Sequence, residues 1–159
     1  MFKFLKNNKE YIIAAPCNGK IVGIEEVPDP VFAEKMVGDG FAIIPSSKDI
    51  LSPVDGEVIQ IFPTHHAICL KSVDGLEIIV HIGIDTVELK GQGFICHTSV
   101  GASISTGDLL LSFTPEILEV NGKNPITPVV ITNKEIIKSL DVQKGTVNAK
   151  EAGAKISLL

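Results

Sequence analysis

Short apolar runs interrupted by glycine, proline, asparagine and aspartate continue along almost the whole chain, and this punctuation restricts the fold more than any other feature. The runs cover residues 20–24, 41–45, 57–62, 67–71, 76–84, 109–113, 129–132 and 156–159. Fourteen glycines and nine prolines separate them in 159 residues. Segments of four to nine residues bounded by turn formers are strands, and strands at this spacing close into an all-β antiparallel sandwich or barrel. Only short helices fit between them. One is expected over 29–36, where Asp29 precedes Pro30 as N-cap and first helical residue. A second starts at Thr114-Pro115 and stops near Gly122, and a third runs from Asn133 to about Leu140. No linker or low-complexity stretch divides the chain, so residues 1–10 are expected as a tail and 11–159 as a single β domain.

An internal echo lies within this pattern. Pro16-Cys17-Asn18-Gly19-Lys20-Ile21-Val22-Gly23-Ile24 and Pro53-Val54-Asp55-Gly56-Glu57-Val58-Ile59-Gln60-Ile61 align at an offset of 37. Each reads as a turn feeding a strand, and two copies imply quasi-symmetric halves rather than a solenoid.

The net charge of −5 argues against nucleic acid as a partner and for a basic protein surface. No apolar run reaches the 18 or so residues of a membrane helix. Met1-Phe2-Lys3-Phe4-Leu5-Lys6 lacks the apolar stretch of a signal peptide and offers at most weak contact with anionic lipid. Cys17, Cys69 and Cys96 form no CxxC, which suits reduced thiols and a cytoplasmic setting.

Two of the four histidines are candidates for a site. His66 and His81 lie 15 residues apart around the turn signal Asp74-Gly75. With a two-residue hairpin loop, paired residues sum to 149 and the two imidazoles are diagonal neighbours. With a four-residue loop from Ser72 to Gly75 the sum is 147 and they face each other. Both registers put them on one face, roughly 5–8 Å apart at Cβ. A three-residue loop would send them to opposite faces. Along the second strand Leu76, Ile78, Val80, Ile82 and Ile84 form the expected core face. Glu77, Ile79, His81, Gly83 and Asp85 form the outward one, with Gly83 leaving room for a ligand.

A neutral imidazole is a competent nucleophile near pH 7. Phosphoryl transfer requires mainly positioning and charge stabilisation, so one histidine can attack phosphorus while a second donates to the phosphoryl oxygens. Thr64, two residues before His66, can orient that second ring. Competing chemistries lack their motifs. There is no GxSxG for a serine hydrolase and no HExxH for a metalloprotease. The Gly107-Asp108 turn suggests a carrier barrel but lacks the Met-Lys-Met tripeptide. His65 and His97 read as structural or solvated. His66, His81 and Asp85 could ligate a metal, and zinc shared between the histidines and a partner carboxylate is a minor expectation.

The strings Val27-Pro28-Asp29-Pro30-Val31-Phe32-Ala33-Glu34-Lys35-Met36-Val37-Gly38-Asp39-Gly40, Pro53-Val54-Asp55-Gly56, Thr64-His65-His66-Ala67 and Val80-His81-Ile82-Gly83-Ile84-Asp85-Thr86-Val87-Glu88-Leu89-Lys90-Gly91 resemble the glucose-type enzyme IIA of the bacterial phosphoenolpyruvate-dependent sugar phosphotransferase system. The resemblance covers about residues 15 to 132. It implies an antiparallel β-sandwich with Greek-key and jelly-roll features. It implies a phosphotransferase that takes phosphate from the histidine phosphocarrier HPr onto Nε2 of His81 and passes it to a cysteine of an enzyme IIB domain during sugar uptake. His66 takes the place of the supporting histidine and Thr64 that of the threonine in its relay. Gly83 supplies the carbonyl that holds the proton on Nδ1 of His81. Phe32, Val31 and Val87 match an apolar rim for partner proteins, and Asp29 and Asp85 match acidic residues facing basic partners. No cofactor is implied.

The chain departs from that pattern at His65, where an asparagine is common, and over residues 95–104. A second role consistent with the same face is a regulatory module whose docking on transporters or metabolic enzymes depends on phosphorylation.

Overall fold

The computed structural model describes residues 9–159, so the Met1–Lys6 segment lies outside the described residues. Eight strands form one antiparallel sheet in the order β13 (Gly145–Val147), β2 (Gly19–Gly23), β3 (Asp39–Pro45), β11 (Thr127–Ile131), β7 (Glu77–His81), β6 (Ala67–Ser72), β5 (Gly56–Ile61) and β9 (Ser103–Ile104). A three-stranded sheet runs β1 (Glu10–Ala14), β14 (Ala152–Leu158), β12 (Ile137–Val142). Another runs β4 (Asp49–Leu51), β10 (Leu109–Phe113), β8 (Phe94–Cys96). The result is the expected antiparallel β-sandwich. Glu10, expected at the end of the tail, pairs with Ser157 on β14.

The central strands are apolar on both faces, and this corrects the expected outward side of β7. Phe41, Ile43, Ile78, Val80, Val129 and Ile131 enter the main core. Their neighbours Ala42, Ile79 and Val130 enter a second, smaller cluster with Val22, Ile24 and Ile84. Ile79 and Ile84 therefore both turn to the cluster closed by Phe32. Phe32 comes from helix α1 (Pro30–Ala33), whose N-cap carboxylate Asp29 accepts from the Val31 N–H at 2.9 Å. The helix is shorter than expected, and the chain leaves it through Lys35 at φ 60°. Helix α2 (Pro115–Val120) ends before Gly122, at φ 68°, as expected.

The third expected helix does not form. Residues Lys134–Ile136 make one 3-10 turn and the chain then extends as β12. Asn133 caps nothing; its Oδ1 accepts from Glu77 N–H at 2.9 Å and its Nδ2 donates to Gly75 O at 2.9 Å, tying the β6–β7 hairpin to the sheet.

The echo at offset 37 is a structural near-symmetry. Ala14 N–H donates to Pro53 O at 2.9 Å, and its counterpart Leu51 N–H donates to Pro16 O at 2.7 Å. Ala15 exchanges bonds with Lys150 and Glu151 as Ser52 does with Gly107 and Asp108. Asn18 Oδ1 accepts from Ala149 N–H, and Asp55 Oδ1 from Thr106 N–H, both at 2.8 Å.

Candidate functional site

The β6–β7 hairpin adopts the one register in which alternation alone would separate the histidines. Ala67 pairs with His81 and Ile68 with Val80, a sum of 148. The loop is the three residues Val73-Asp74-Gly75, closed by Ser72 N–H to Leu76 O at 2.8 Å, with Gly75 at φ 94°. This is a three-residue hairpin whose last residue is left-handed, a role glycine fills without steric cost.

The rings nevertheless meet, because His66 precedes the regular ladder and His81 forms its last pair. β6 begins at Ala67, one residue after His66, and β7 ends at His81. His65 adopts φ 56° in the turn closed by its N–H to Phe62 O at 2.8 Å, which breaks the alternation before the strand starts. The ring centroids of His66 and His81 are 4.9 Å apart with the planes at 84°. Phe32 covers His81 at 5.1 Å, while Phe62 and Phe94 flank His66 at 5.4 and 6.4 Å. His66 is only 2% exposed and His81 is half-buried.

The hydrogen bonds set the tautomers. A carbonyl only accepts, so the 2.8 Å contact of His81 Nδ1 with Gly83 O puts the proton on Nδ1 and leaves Nε2 with its lone pair. Thr64 Oγ1 meets His66 Nδ1 at 2.5 Å, directing Nε2 of that ring elsewhere. Among the described residues neither Nε2 has a partner, and no buried side-chain nitrogen or oxygen lacks one, so both free nitrogens open to the surface.

Both rings are held neutral. Burial, and then the charge of His81, pushes the His66 pKa down to about 4. Burial also lowers that of His81, against the opposing pull of the Gly83 carbonyl and of the Asp29 and Asp85 carboxylates. Those two carboxylates thus act on the His81 ring itself. Asp85 adopts φ 58° at the turn after β7.

Gly83 does not make room for a ligand. It sits at φ 75°, and a Cβ there would fall 2.6 Å from Thr86 Cγ2 and 3.0 Å from Asn124 O. Its backbone, not its emptiness, matters. Phe32 is 7% exposed and serves as a wall of the site, whereas Val31 at 43%, Val87 at 54% and Met36 at 71% present apolar surface. Met36, Phe62 and Phe94 carry no spacing signal that would have marked them in the sequence. His97 is elsewhere, bonded through Nε2 to Ser112 Oγ at 2.8 Å. Among the described residues no group of three or more His, Cys, Asp or Glu is placed to hold a metal ion. His66 and His81 alone supply two nitrogens, half of a tetrahedral zinc set. Cys17 is buried, its thiol pushed up to about 12, and Cys69 and Cys96 are partly exposed.

Two neutral, crossed imidazoles open from a β-sandwich through their free nitrogens, an arrangement competent for nucleophilic chemistry. A family model described as "phosphoenolpyruvate-dependent sugar phosphotransferase system, EIIA 1" matches residues 11–137. The glucose-specific EIIA component of Bacillus cereus is 46% identical over 155 residues, spanning 94% of this chain and 93% of that protein. The Staphylococcus aureus protein of the same description is 46% identical over 134 residues, spanning 84% and 81%. The solved glucose permease IIA from Mycoplasma capricolum superposes with a TM-score of 0.86 at 37% identity, covering 93% of this chain and 96% of that one. The chain belongs to the EIIA family of the sugar phosphotransferase system. No helix among the described residues is long and apolar enough to cross a membrane.

Proposed function

We propose that the chain relays a phosphoryl group from phospho-HPr to a cysteine of an enzyme IIB domain, with His81 as the transient carrier. The observation that supports this most is the 2.8 Å bond from His81 Nδ1 to Gly83 O, which leaves Nε2 as the attacking atom. As the Nε2–P bond forms, the N–P bond of the donor breaks and the donor imidazole leaves. The phosphorylated ring then carries Nδ1–H and is positively charged, a charge the Gly83 carbonyl and the carboxylates of Asp29 and Asp85 favour. His66, with Nδ1 accepting from Thr64, donates through Nε2–H to a phosphoryl oxygen. In the second step a cysteine thiolate of the partner attacks phosphorus and His81 leaves as the neutral ring it began as.

The negative field of Asp29 and Asp85 also works against a dianionic phosphoryl group, so the adduct is poised for onward transfer. The same carboxylates, with exposed Val31 and Val87, suit fast and reversible docking of basic partners. The reading takes residues 11–159 as one functional unit in the cytoplasm and needs no cofactor, with zinc confined to a partner interface.

The test is incubation with phosphoenolpyruvate, enzyme I and HPr, followed by mass-spectrometric localisation of phosphate. An acid-labile, alkali-stable adduct on His81 is expected. Phosphate on another residue, or none, would end this reading.

A regulatory role is favoured by one observation, the exposed apolar side chains of Val31, Met36 and Val87, on the chain segments next to Phe32 and Asp85. A phosphoryl group there would disfavour apolar docking. Pull-down with phosphorylated and unphosphorylated protein separates that role from the relay.

A further inference from the structure

We infer that Thr86 is a positioning residue for His81, acting through the Gly83 carbonyl; this rests on the phosphoryl relay proposed above. Thr86 is fully buried, yet it begins a surface 3-10 turn, Thr86–Leu89, and a buried hydroxyl there needs a reason. Its Oγ1 donates to Ile82 O at 2.5 Å, linking the two ends of the segment 82–86. Gly83 stands at φ 75° and Asp85 at φ 58°, two left-handed residues among the three between those ends. Such a backbone persists only when its surroundings over-determine it.

Three contacts do so. The Thr86 hydroxyl closes the loop, and its methyl lies 2.6 Å from where a Cβ on Gly83 would stand, so the glycine cannot tilt toward it. Next to it, Ile84 N–H donates to Asn124 O at 3.0 Å, and Asn124 Oδ1 accepts from Ile126 N–H at 2.9 Å. The Gly83 carbonyl is therefore aimed at His81 Nδ1 by a side chain whose own hydrogen bond goes to Ile82 O. Removing the hydroxyl would leave Ile82 O unpaired, free the peptide at Gly83 to rotate, and let His81 sample the tautomer with the proton on Nε2. That tautomer cannot attack phosphorus.

The experiment compares Thr86→Val and Thr86→Ala, which delete the hydroxyl, with Thr86→Ser, which keeps it. The readouts are the rate of phosphorylation by phospho-HPr and the imidazole nitrogen and proton NMR signals of His81. Ser52→Ala serves as control, since Ser52 also has a buried hydroxyl donating to a carbonyl, Val54 O at 2.6 Å, in a different loop. Loss of the hydroxyl is expected to slow phosphorylation roughly tenfold and to shift the His81 signals toward a mixture of tautomers. Thr86→Ser should restore both, and Ser52→Ala should lower stability while leaving both unchanged. Wild-type signals and rate in a folded Thr86→Val or Thr86→Ala protein would overturn the inference. If both fail to fold, Thr86→Ser decides: a mixed tautomer despite the retained hydroxyl overturns it, and a single Nδ1–H tautomer upholds it. Failure of the relay itself shows separately, as absence of phosphate on wild-type His81.

Discussion

The imidazole of His66 stands at 84° to that of His81, with centroids 4.9 Å apart, so an edge of one ring addresses the other. Burial is the main reason a charge is disfavoured on either ring, with repulsion from His81 a further reason at His66.

Stability should fall as the pH drops through the histidine range. The folded pKa of His66 is depressed to about 4 against an unfolded value near 6.5. Between these values the unfolded chain binds a proton that the folded chain refuses, so the unfolding free energy decreases with decreasing pH. The loss begins near pH 6.5, is complete near pH 4, and is on the order of 3 kcal/mol for this residue. Urea denaturation of the wild type and of His66→Gln across that range checks it. A wild-type curve as flat as that of the variant removes the assignment.

His81→Ala and His66→Ala should fail at different steps. The first takes up no phosphate. The second is expected to accept phosphate from phospho-HPr, because the nucleophile and its Gly83 partner are intact, and to pass it to the IIB domain at least tenfold more slowly, having lost a phosphoryl-oxygen donor. Single-turnover transfer to the isolated IIB domain measures this. Unimpaired transfer would take His66 out of the mechanism.

Gly83→Ala should be costly in both respects. The residue holds φ 75°, and a methyl there meets Thr86 Cγ2 at 2.6 Å. Left-handed strain and this clash together are expected to cost about 2–4 kcal/mol of stability, with phosphorylation slowed as the carbonyl shifts. Chemical denaturation and the phosphorylation rate are the measurements, and a wild-type value of either contradicts this account.

Val87→Asp should separate docking from folding. Val87 is 54% exposed, so the substitution is expected to change stability by no more than about 0.5 kcal/mol. Loss of apolar contact area should weaken HPr binding about tenfold. Calorimetry would show an unaltered affinity if this surface plays no part.

Much of the sandwich was legible because its strands are bounded by turn residues, and the Asp29-Pro30 helix start is where the sequence places it. The hairpin register was not. Asp74-Gly75 reads as a two-residue turn, yet Gly75 alone is left-handed and Val73 joins the loop. The convergence of His66 and His81 was therefore expected for a reason the structure replaces: the backbone turn at His65, not strand pairing, brings the rings together. Asn133 misled similarly, since its side chain is spent on Glu77 and Gly75 across the chain, a long-range contact that no local pattern reveals. The roles of Thr86 and Asn124 were equally hidden, because they act through carbonyls brought near only by the fold.

Glu10 and Ser157 are ladder partners in the β1–β14 pair, which sets their Cα atoms about 5 Å apart. A linker attached at either residue would thus leave from the same spot on the surface and hold the histidine pair at the same reach. Circular permutation, with a short bridge between those residues and new ends opened at the exposed Gly122 bend, should accordingly preserve the cleft.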